Sequence, residues 1–278
     1  MSRFLEVYSA DEPIDLQITT EGFIGDIIKK VKTVLKALLK KARKIISVIY
    51  KKITDALDLM FTKLKKWYDK HKSTKEAYEL PSRIDDFDVY KACPKVTDIY
   101  RMCESINSYS HTIYKFTALA TDHKMGLFIQ KIDPLSIMSL DSYNITVDEN
   151  GYFTYPSVEE LANMLYKVAG KVELTDSWFD KTIEDWRDYR RKFKSLQQDS
   201  ERTLDRADKL VQNYDMSISQ SFIDTEGITV KQQDTMQYNI AILNSLIAFH
   251  FDLGKAVVYI VDKMRNTIIK HTRDMLSN

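Results

Sequence analysis

The stretch from Gly22 to Lys72, GFIGDIIKKVKTVLKALLKKARKIISVIYKKITDALDLMFTKLKKWYDKHK, contains no proline and no glycine after Gly25. Apolar residues recur in steps of three and four at Ile24, Ile28, Val31, Leu35, Leu38, Ala42, Ile45, Ile49, Ile53, Ala56, Met60, Leu64 and Trp67. Those positions fall on one side of a 3.6-residue repeat, so the spacing predicts a single amphipathic helix. At about 1.5 Å rise per residue it would run on the order of 70 Å. Its other face is mostly lysine. Glu21 to Lys72 holds 15 Lys+Arg against 5 Asp+Glu, whereas residues 1–20 hold one against four and residues 73–278 hold 25 against 31. A formal charge of +1 therefore conceals a basic rod joined to an acidic body.

The chain divides on this basis into an acidic leader at 1–21, the basic helix at 22–72 and an acidic helical body at 73–278. The leader would either mask the basic helix electrostatically or simply fray. Pro81 disfavours helix at Leu80, which sets a boundary near 73–82. Helical periodicity continues through 83–131, where Pro94 should kink or split it. Two β-rich runs, Ile145–Val147 and Tyr152–Tyr155, flank Asp148-Glu149-Asn150-Gly151 and predict a hairpin near 145–155. Ser157 and Glu160 form a capping-box pattern opening a helix that Gly170 should close. Further helices are expected at 176–215 and 229–276, separated by a loop at 215–228. The last is apolar around much of its circumference and should lie at the centre of the core. With seven Gly and five Pro in 278 residues, the expected fold is mainly α: an elongated multi-helix bundle with one small β-hairpin.

An acidic leader ending in Thr19-Thr20-Glu21, followed by Gly22-Phe23-Ile24-Gly25 and a Lys-rich amphipathic helix, resembles the internal head proteins of large tailed bacteriophages. The resemblance covers about the first 75 residues. It implies a propeptide cut between Glu21 and Gly22 by a prohead protease, synthesis in the host cytoplasm, and a mature structural protein in the virion interior, packaged with DNA.

Composition alone leaves three partners open for the rod. Lys29, Lys30, Lys32, Lys36, Lys40, Lys41, Arg43, Lys44, Lys51 and Lys52 would neutralise DNA phosphates without sequence preference. The same helix, led by Phe23-Ile24-Gly25, would suit an anionic membrane surface if its apolar face were free. It would also serve self-association or contact with other virion proteins, as in a scaffold or coiled-coil module. Lys65-Lys66-Trp67-Tyr68 puts cations beside rings, although Trp67 also belongs to the apolar stripe.

Nothing in the chain has the pattern of an enzyme. GxGxxG, GxxxxGK[ST], GxSxG and HExxH do not occur, and the five histidines show no metal-ligand spacing. Cys93 and Cys103 match no zinc or CxxC pattern and read as reduced thiols. No catalytic residue, cofactor, metal or small-molecule substrate is expected. No membrane span is expected either, since the apolar run Tyr238–Leu253 carries His250 and Asp252 and falls short of about 20 residues.

Overall fold

The computed structural model describes residues 24–71, 93–122, 126–168, 171–172, 176–214 and 229–277. The leader, the Glu21-Gly22 pair, the 73–82 boundary, Gly170 and the 215–228 loop lie outside them. The protein is mainly helical, in the order α1 (Ile24–His71), β1 (Cys93–Pro94), α2 (Val96–Ala120), β2 (Thr146–Val147), β3 (Phe153–Thr154), α3 (Val158–Val168), β4 (Lys171–Val172), α4 (Asp176–Asn213) and α5 (Val230–Ser277). The strands form two antiparallel pairs, β2 with β3 and β1 with β4. The first pair is the expected hairpin; the second joins Cys93 to Val172 and Pro94 to Lys171 across a long sequence separation. Pro94 ends β1 two residues before α2 begins, and residues 83–92 of the segment it is expected to kink or split lie outside the described residues.

Two compact units are built from interleaved segments. The first uses described residues of Met1–Ile46, Ser108–Pro156 and Ser200–Asp252; the second uses those of Ser47–Asn107, Ser157–Asp199 and Leu253–Asn278. Four helices, α1, α2, α4 and α5, thus contribute to both.

The stripe of α1 is core. From Val31 to Met60 every stripe residue is at most 8% exposed, and Leu39, Ile46, Leu57 and Phe61 widen the buried face. Burying an aliphatic side chain of this size contributes about 1.5–3 kcal/mol, so the stripe holds α1 in the fold more than helix propensity does. In α5, four consecutive residues, Ile240, Ala241, Ile242 and Leu243, are all buried, which requires neighbours on every side. Because α5 continues well past Leu253, an 18-residue stretch of Val230–Asn266 is long and apolar enough to cross a membrane by length and composition. This corrects the expectation of too short a run. Yet 78% of that stretch is buried inside the protein, as a core helix would be.

In the first unit the hairpin docks on α5. Asp148 Oδ1 accepts from the Asn150 and Tyr152 backbone N–H groups, both at 2.9 Å, and closes the turn. Gly151 has φ +91°, and a Cβ there would lie 2.7 Å from the Tyr238 carbonyl oxygen. Only glycine meets both demands. Ser245 Oγ accepts from Phe153 N–H at 3.3 Å, and Tyr155 donates its hydroxyl to Asp252 Oδ2 at 3.0 Å. Tyr109, Tyr143 and Tyr155 surround the Phe249 ring at centroid distances of 5.0–5.5 Å. The buried Asn239 side chain ties down the segment after α2. Its amide donates to the Leu127 and Gln130 carbonyls at 2.9 Å each, and its carbonyl accepts from Ile132 N–H at 2.8 Å.

In the second unit Tyr50 of α1, fully buried, donates to the Cys103 carbonyl of α2 at 2.9 Å. Tyr100, Tyr189 and Phe193 pack edge to face, and Phe61 stacks on Trp186. The capping box opens α3 as expected. Glu160 accepts from the Ser157 hydroxyl and N–H at 2.8 Å each, and both bonds hold its carboxyl below the usual carboxylate range. A second box, unremarked in the sequence, opens α5 in the first unit: Gln232 Oε1 accepts from Thr229 N–H at 2.9 Å, and Thr229 Oγ1 accepts from Gln232 N–H at 3.2 Å.

Candidate functional site

The lysine face of α1 follows from the burial of its stripe. With the apolar side against the core, the remaining positions must face outward. In the first unit Lys29, Lys30, Lys36, Lys40, Arg43 and Lys44 are exposed, and Lys32 and Lys41 are half-exposed. In the second unit Lys51 is exposed and Lys52 half-exposed. All ten expected contact residues therefore reach solvent, eight within one unit and two within the other.

They are not equivalent. Lys32 donates its ammonium to the Gln212 carbonyl at 2.7 Å, in the last turn of α4. Carbonyls there lack intrahelical donors and carry the negative end of the helix dipole, so Lys32 caps α4. Arg43 forms an ion pair with Asp205 of α4 at 2.7 Å, with both side chains nearly half exposed. Exposed pairs contribute only about 0–1 kcal/mol, so this contact orients Arg43 more than it stabilises the fold. Lys36, Lys40 and Lys51, by contrast, stand fully on the exposed face.

Sequence reading passed over a second cationic group. Within α4, residues 187–194 read RDYRRKFK, five cations in eight positions against the single Asp188. Arg187, Arg190, Arg191 and Lys192 line a groove of about 790 Å³ with Asp58, Phe61, Thr62 and Lys65 of α1, all within the second unit. The signal was local density of charge, diluted by the acidic total of the body.

Among the described residues the remaining chemistry-bearing side chains stand apart. His250 is fully buried on α5 with its ring 6.2 Å from that of Tyr109, while His111 is exposed on α2. Cys103 is a buried free thiol whose ionisation is pushed up by burial and then by the Glu104 charge. Among the described residues no group of three His, Cys, Asp or Glu side chains is placed to hold a metal ion. His123 lies outside the described residues, as do the side chains of His71, His271, Cys93 and Trp67.

No protein-family model, curated protein or solved structure matches the chain. The class that the fold and this surface define is a mainly α-helical protein with a buried apolar stripe and a cationic outer face on its first helix.

Proposed function

We propose that this is a non-enzymatic structural protein whose α1 lysine face contacts DNA phosphates without reading sequence, as an internal virion component of a tailed phage. One observation carries the DNA part: the α1 stripe is buried from Val31 to Met60 while the cations beside it are exposed. A helix acting at a lipid interface needs its apolar face free to enter the headgroup boundary. Here that face is occupied by the protein's own core, leaving an outer face on which every charged residue from Lys29 to Lys52 is a cation. The virion part rests on the resemblance around Thr19–Gly25 and on the charge division between rod and body.

The test is binding of the purified protein to duplex DNA and, in parallel, to anionic vesicles across a salt series. The expected result is DNA affinity that falls steeply with salt, with vesicles ignored. Vesicle binding or leakage that survives high salt would overturn the proposal in favour of a membrane-active helix. Binding to neither would favour a scaffold role, with partners held through other surfaces.

A further inference from the structure

We infer that the groove between α1 and α4 in the second unit is a separate site for a linear run of phosphates, of the kind a single-stranded nucleic acid presents. It goes beyond the α1 proposal, because none of its cations belongs to the ten lysine-face residues.

The groove gathers five cations, Lys65, Arg187, Arg190, Arg191 and Lys192, against two carboxylates, Asp58 and Asp188. Like charges crowded into a concavity repel one another, and an anion seated there relieves that repulsion. Three of the five are arginines, whose planar forks match phosphate oxygens in pairs. Arg190 already holds an oxyanion through one contact: its Nη2 lies 3.1 Å from Asp58 Oδ2, a carboxylate standing where a phosphate oxygen would sit. Asp58 is thus a built-in competitor for the ligand.

The floor argues for phosphate rather than base recognition. Phe61 and Trp186 stack on each other with centroids 5.3 Å apart and are only 3% and 7% exposed. Neither ring offers a face on which a base could stack, so the contacts left are those to the backbone. A concave lining admits a lone strand, whereas a duplex presents its phosphates on a convex wall.

The experiment is fluorescence anisotropy of a labelled oligothymidylate with the full chain, competed by tripolyphosphate and by unlabelled duplex. Arg187→Glu with Arg191→Glu, both exposed positions, should weaken strand binding at least about tenfold. The salt slope should fall by about 1.4 for the two lost contacts. Asp58→Asn should tighten binding several-fold, which a merely structural role for the ion pair would not do. Tripolyphosphate should compete. Strand binding unchanged by the double substitution, weakened by Asp58→Asn, indifferent to tripolyphosphate, or displaced more readily by duplex than by strand would each overturn the inference. Lys36→Glu with Lys40→Glu provides the separation from the α1 proposal: it should reduce duplex binding and leave the oligothymidylate affinity within about twofold.

Discussion

Gly254 of α5 lies directly against Ile49 of α1: a Cβ at Gly254 would sit 2.1 Å from Ile49 Cδ1, 2.9 Å from Cγ1 and 3.1 Å from Cγ2. The glycine is therefore a point of close approach between the two helices, and the whole Ile49 side chain, not just its tip, blocks a substituent. Gly254→Ala gains about 1 kcal/mol of helix propensity. It loses about 1–3 kcal/mol to overpacking, and the second effect should win. The urea midpoint should fall with an unchanged slope. In an Ile49→Ala background the same substitution should be neutral or stabilising, which a double-mutant cycle would read as coupling.

Asn239 offers a test of a different kind. Three backbone groups of the Leu127–Ile132 segment depend on its one side chain. Asn239→Leu keeps the volume but strands those groups in the interior, where each unsatisfied group costs about 1–3 kcal/mol. A total loss on the order of 3 kcal/mol is expected. Hydrogen exchange should show new opening confined to the 126–132 segment and the face of α5 beneath it.

Within the lysine face, graded effects are expected. Lys36→Gln, Lys40→Gln and Lys51→Gln should each lower the slope of log affinity for duplex DNA against log salt by about 0.9, with little change in stability. Lys32→Gln should instead lower stability as well, because it uncaps the α4 terminus at Gln212. Salt-dependent binding and urea denaturation of the same four variants separate the two roles.

Alkaline pH should destabilise the fold through buried groups. Cys103 and Tyr109 are held above their ordinary values of 9.0 and 10.0 chiefly by burial, and so is Tyr155, with the Asp252 charge adding to it. The folded chain thus retains protons that the unfolded chain releases. Their contribution is complete below the unfolded values and declines as pH rises through 9.0 and 10.0 toward the raised folded ones. Urea midpoints should therefore be level below about pH 9 and drop above it. Tyr155→Phe should flatten part of that drop.

The features legible in the sequence are those set by local rules. The α1 stripe obeys one period over many turns, and every described member from Val31 to Met60 is buried. The hairpin turn and the Ser157–Glu160 box each depend on residues within a few positions of one another. What was not legible needs partners from far along the chain. Nothing near Cys93 announces Val172, and Asn239 looks like any polar residue on a helix until the Leu127–Ile132 segment meets it. The α4 cations pass unnoticed in the sequence because Asp58 and Lys65, which turn them into a groove, lie on α1.

The interleaving of segments also bears on how the chain comes to be folded. The first unit is incomplete without Ser200–Asp252, and the second without the residues after Leu253. No cut of the chain isolates either one, and a ribosome releasing it from the N-terminus must deliver the first half of α5, to Asp252, before the first core can close and the residues from Leu253 on before the second can. Until then the apolar stripe of α1 waits in the open beside its lysines, so the interval of synthesis is when this helix is most exposed to chaperones and to lipid.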